Sequence, residues 1–215
     1  MRIDDSVEIP EVVPIRYTTY VIEREIVYGF TGRSFLYFFL RNDECLFSSK
    51  AKERHPSSKI PIKIGNDVHI GIGGEYSLFS NSDSREFVLK QTSCPEFDLF
   101  RFEIINVKSF VPKPRQCRAI IYPVDSFPTQ MILTTKPPQM TSKGTFVLDF
   151  HDRFTIPSEK NSIFVYEKIK RNSPEVASVR KIGRNHIEII IDERIPPVIA
   201  FSLGLCLLVG DLHPK

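Results

Sequence analysis

The stretch Pro196-Pro197-Val198-Ile199-Ala200-Phe201-Ser202-Leu203-Gly204-Leu205-Cys206-Leu207-Leu208-Val209-Gly210 decides how the rest of the chain must be arranged. It carries no charge from Val198 to Val209 and is apolar around the whole helical wheel. A surface helix keeps a polar face, so a helix without one must be enclosed on every side. Crossing a bilayer takes roughly twenty apolar residues, more than this run supplies. Paired prolines suit a helix start, where a missing N–H costs nothing, and Gly210 suits its end. A buried strand is the alternative. The length of the run and the small residues Ser202, Gly204 and Cys206 favour a helix over about 197–209.

What surrounds that helix must come from the preceding residues, and these read as strands. Tyr17–Ile22, Glu25–Phe30 and Ser34–Leu40 are β-branched and aromatic, and Cys45–Lys52 returns after the turn-like Arg41–Glu44. Further short strands are expected at Ile60–Ile64, Val68–Ile72, Tyr76–Ser80, Glu86–Lys90, Phe97–Val107 and Cys117–Tyr122. Pro123–Pro138 reads as irregular, Thr145–Phe150 as a strong strand, and Ser162–Tyr166, Ala177–Ile182 and His186–Ile191 as strands. About a dozen short strands with turns every eight to twelve residues predict a sandwich or barrel. A β-barrel fills its interior with side chains, so the apolar helix has a place as the core. The reading is therefore mainly β: a short tail at 1–15, then one closed, mostly antiparallel barrel over 16–215, threaded by its C-terminal helix.

The 215 residues carry a net charge of +3, too little to imply a nucleic-acid binder, so any basic site must be local. The four cysteines are widely spaced with no CxxC pair, so a reducing cytosol is expected. Met1–Pro14 has no apolar core of the signal-peptide type, and any membrane contact is expected to be peripheral. The five histidines are scattered without metal-ligand spacing, and Gly71-Ile72-Gly73-Gly74 sits between expected strands and is not followed by GK[ST]. Neither a metal, a nucleotide nor any other cofactor is predicted.

Three stretches resemble the Tubby C-terminal domain family. Thr145-Phe146-Val147-Leu148-Asp149-Phe150-His151-Asp152-Arg153 with Ser158-Glu159-Lys160-Asn161 is similar to the signature Y-V-L-N-F-H-G-R followed by S-x-K-N. Ile182-Gly183-Arg184 before a strand and a proline-started apolar helix resembles the F-G-R…Y-P-L-x-x-x-x-A ending. Lys113-Pro114-Arg115 before Ala119-Ile120-Ile121-Tyr122-Pro123 is similar to G-P-R-K-M-x-V-I-x-P. The order and spacing agree from about Arg16 to Gly210. The resemblance implies a barrel around a hydrophobic helix. It also implies a non-enzymatic adaptor that binds phosphatidylinositol bisphosphate through a basic surface cavity, cytoplasmic and peripheral at the inner face of the plasma membrane.

The run matching the family's basic strand is Ser49-Lys50-Ala51-Lys52-Glu53-Arg54. Strand side chains alternate, so Lys50, Lys52 and Arg54 project to one side as the implied lipid-binding residues. The sequence departs from the family here: Glu53 and Pro56 interrupt the run, and Ile70–Gly74 lacks the further arginine. Lys59, Lys63 and Arg41 are candidate replacements. Those departures support the alternative of a protein-interaction scaffold that has lost the lipid cavity. A nucleic-acid-binding, transcription-linked module is a third reading, against which the modest charge argues. His151 and Arg153 flank Asp152, but with no suitably spaced nucleophile they read as part of a fold signature.

Overall fold

The computed structural model describes residues 14–30, 32–52, 59–66, 74–105, 113–124, 128–168 and 173–210. Its strands are β1 (Tyr17–Gly29), β2 (Gly32–Arg41), β3 (Glu44–Lys52), β4 (Lys59–Ile64), β5 (Tyr76–Ser80), β6 (Glu86–Gln91) and β7 (Cys94–Ile104). They continue as β8 (Cys117–Ile121), β9 (Met131–Thr135), β10 (Gln139–Met140), β11 (Phe146–Val147), β12 (Ser162–Tyr166), β13 (Glu175–Lys181) and β14 (His186–Asp192). The single helix among the described residues, α1, spans Pro197–Val209. Twelve of the strands close into a barrel in the order β1-β14-β13-β12-β9-β8-β7-β6-β5-β4-β3-β2. Every pairing around it is antiparallel; β10 and β11 form a separate two-stranded sheet.

The alternation that made these segments legible now has a direction. Tyr20 and Ile22 of β1, Tyr37 and Phe39 of β2, Ile60 and Ile62 of β4, and Ile187, Ile189 and Ile191 of β14 point inward and are all but inaccessible. The helix fills the space they enclose, with Val198 to Leu207 buried without interruption. Phe201 lies 5.1 Å from Phe39 and 6.3 Å from Phe47 between ring centroids, and Phe39 stacks on Tyr20 at 4.5 Å. Such pairs add about 0.5–1.5 kcal/mol each beyond area burial. The one hydroxyl of the helix, Ser202, donates to the Val198 carbonyl at 2.8 Å, so it is buried without loss. At Gly204 the fit is closest: a Cβ there would lie 2.7 Å from Ile189 Cδ1 and nearer still to Ile22. The spacing of small residues in the helix thus answers the girth of the isoleucines around it.

Three readings need correction. Pro123–Pro138 contains β9, a five-residue barrel strand that flanking prolines hid. Thr145–Phe150 supplies only the two residues of β11 and lies outside the barrel. Tyr17–Ile22 and Glu25–Gly29 fall in one 13-residue strand, and Phe30 lies in the turn after it. Val68–Ile72, residues 1–13 of the tail, and Arg54 lie outside the described residues.

Because neighbours alternate in direction, the end of β3, the start of β4, the start of β2 and the end of β13 share one end of the barrel. The C-terminus of α1 emerges there too, since Leu207 and Leu208 are reached by residues just ahead of β8 and β12.

Candidate functional site

Inward residues on β3 are set by β2: Phe35, Tyr37 and Phe39 stand opposite Ala51, Ser49 and Phe47. Lys50 therefore takes the outer face, opposite Leu36; Lys52 pairs with Ser34, and its side chain lies outside the described residues. Lys50 is exposed while its neighbour Ala51 is 2% exposed, which is the alternation the sequence predicted. Ile60 and Ile62 of β4 are fully buried, so Lys59 and Lys63 of the next strand fall on that same outer face. Lys63 sits beside Ser48 in the β3–β4 register, and the Lys59 ammonium lies 5.8 Å from the Phe79 ring centroid. Arg41 is not part of this group. It pairs with Glu44 at the far end of β3, roughly 25 Å from Lys52 at about 3.3 Å per residue.

The surface is thus a lysine-bearing strand face on two adjacent strands. Glu25 of β1 shares it, across Leu36 from Lys50. Two clefts of about 420 and about 370 Å³ lie elsewhere, against the strap that follows β11; neither is lined by Lys50 or Lys52.

The residues that carry the family resemblance do structural work. After β11 the chain runs outside the barrel as a strap. Phe150 packs near Ser178 and Ile190 on the outer wall of β13 and β14, lining the smaller cleft with them. His151 and Asp152 then turn in the left-handed region at φ 55° and 60°. The Asp149 carboxylate steadies that turn by accepting from the His151 N–H at 2.8 Å, the local bond that lets such residues tolerate positive φ. His151 Nε2 is 3.3 Å from Glu175, which also holds Lys136 at 3.2 Å. Arg180 ties the strap down by donating to the Phe154 carbonyl while pairing with Glu188.

Arg115 and Lys160 have another task. The Arg115 guanidinium donates to the Leu207 carbonyl at 2.9 Å, and the Lys160 ammonium to the Leu208 carbonyl at 3.0 Å. The last carbonyls of a helix have no partners of their own, and α1 has no basic residue in its last turn. Two cations from distant loops therefore cap its negative end. Asn161 locks Lys160 in place: its amide donates to the Ile156 carbonyl at 2.9 Å and its oxygen accepts from the Lys181 N–H at 2.8 Å. Burial, followed by the charges of Arg115, Arg24 and Lys181, lowers the pKa of Lys160 to about 8.

Burial drives the Cys206 thiol well above its usual range and the Cys117 thiol up to about 12, so both behave as small core residues. Among the described residues, no group of three His, Cys, Asp or Glu side chains is placed to hold a metal.

No family model matches the chain, and no curated protein matches it. The likeness to the Tubby domain therefore rests on the residues quoted above. The sequence reading passed over two features of the site end: the capping by Arg115 and Lys160, and the exposed Tyr28 and Phe30 at the β1–β2 tip. Both depend on where separate strands finish, for which a single sequence carries no signal.

Proposed function

We propose that this protein is a non-catalytic peripheral adaptor that binds phosphorylated inositol lipid headgroups, phosphatidylinositol bisphosphate first among them, through the outer face of β3 and β4. The observation that carries the reading is Lys50 on the outer face of β3, with Lys59 and Lys63 on the same face of the adjoining strand. A lysine is a compact cation with three donors, suited to a headgroup bearing several phosphates. Each cation near an anionic leaflet contributes about 1 kcal/mol, so three give roughly a hundredfold enrichment, enough for transient recruitment. The inner leaflet of the plasma membrane is the surface that fits this chemistry.

The test is sedimentation with vesicles containing or lacking the bisphosphorylated lipid. A Lys50→Ala/Lys52→Ala variant should bind about thirtyfold more weakly, as loss of two such charges implies. Equal binding by the variant and the wild type overturns the site. A second reading, a protein-interaction scaffold, is favoured by the Glu25 carboxylate that shares the face, across Leu36 from Lys50. It requires that vesicles with and without the phosphorylated lipid bind alike.

A further inference from the structure

The β1–β2 hairpin ends in a way that the barrel does not need. β14 begins at His186, opposite Glu23, and β3 finishes at Lys52, opposite Ser34. The last two pairs of the hairpin, Tyr28 with Arg33 and Gly29 with Gly32, lie beyond the last described pair with each neighbour. At about 3.3 Å per residue they carry the strand pair roughly 7 Å past those last described pairs. Tyr28 is 76% exposed there and Phe30 is exposed completely, at 114%. Scattered exposed apolar residues are ordinary on any protein. These two differ by sharing the tip of a projecting hairpin with two glycines, and Val27 to Ser34 contains no carboxylate.

We infer that this hairpin tip enters the membrane interface, Phe30 and Tyr28 seating among the headgroups and upper acyl chains while the neighbouring lysines hold the phosphates. The inference rests on the lipid reading above and names how the same surface grips a bilayer. The occupant follows from charge. The tip leaves the barrel at the end where β3 finishes in Lys52 and β4 begins with Lys59. Arg24 and Lys181 also lie at that end, beside the two helix-capping cations and the Glu159 carboxylate. An apolar tip with cations behind it matches an anionic bilayer, whose phosphates lie above its hydrocarbon. Aromatic side chains favour that boundary, and a reach of roughly 7 Å falls within the 5–10 Å over which interfacial segments penetrate.

The chain contains no tryptophan, so Phe30→Trp introduces a single fluorescent reporter at the tip. With vesicles of phosphatidylcholine, phosphatidylserine and phosphatidylinositol bisphosphate, its emission should shift to the blue and be quenched by lipids brominated on the acyl chains. Soluble inositol phosphate should produce neither change, which separates a bilayer from a free headgroup. Phe30→Ser, at an exposed position that the fold does not use, should bind these vesicles about tenfold more weakly than the wild type. Wild-type sedimentation with an unshifted, unquenched indole and undiminished binding by Phe30→Ser overturns the hairpin inference and leaves the lysine site standing. Failure of the wild type to sediment with any phosphorylated lipid overturns both.

Discussion

Two sets of cations occupy one end of the barrel and serve opposite ends. Arg115 and Lys160 turn inward to the carbonyls of Leu207 and Leu208, where the negative end of the core helix takes up their charge. Lys50 turns outward on β3, and among the described residues no carboxylate is paired with it. What separates the sets is what each faces. A cation aimed at the end of a buried helix is needed by the fold. One on the outer side of a strand is available to a ligand.

The comparison can be broken most severely at the helix that the first set holds. Leu205 is completely buried at the barrel axis. A carboxylate there must be buried without a partner, at a cost of several kcal/mol against a stability of about 5–15 kcal/mol. Leu205→Asp should therefore fail to fold, with its far-ultraviolet dichroism and solubility lost together. A soluble, folded variant would mean the helix is not the core. Next in size is Arg115→Ala, which strips a donor from the Leu207 carbonyl in a site 8% exposed. A charged hydrogen bond of this kind contributes about 1.5–3 kcal/mol, so denaturant melts should shift by that amount. By contrast, the Lys50→Ala/Lys52→Ala variant should stay within about 0.5 kcal/mol of the wild type while losing vesicle binding.

The finest test uses proton linkage at Lys160. Its folded-state pKa is lowered to about 8 from an ordinary 10.5, mainly by burial and then by Arg115, Arg24 and Lys181. Between those values the unfolded chain holds the proton and the folded chain does not, so raising the pH favours folding. The stability of the wild type relative to Lys160→Met should be lowest below pH 8 and should climb through the window up to about 10.5, as read by urea melts at stepped pH. A difference independent of pH would show that the Leu208 carbonyl keeps the ammonium charged throughout.

Much of the architecture was legible because burial imposes a period. Val198–Leu207 is apolar without interruption, and a helix with that pattern has to be surrounded; its observed limits, Pro197–Val209, are the expected ones. The alternation in β4, with Ile60 and Ile62 inward, was equally plain. β9 was hidden because Pro123, Pro128, Pro137 and Pro138 frame it, and prolines so placed read as loop. Thr145–Phe150 misled in the other direction. Its β-branched and aromatic residues fit a strand, yet most of it forms a strap that packs Phe150 on the outside of the barrel. The outward turn of Lys50 was legible on β3, where it alternates with the buried Ala51, but the contribution of β4 was not. Lys59 and Lys63 join that face only through the pairing of two strands whose register is set by buried residues on the other side.

By itself the sequence determined the enclosed helix, most of the strands around it and the outward parity of Lys50, because each follows from a local periodicity of burial. The tertiary structure alone decided which charges cap the helix and which face outward, and that Tyr28 and Phe30 are exposed at the end where the helix is capped. Those outcomes depend on where strands far apart in sequence finish against one another, and no local pattern encodes that.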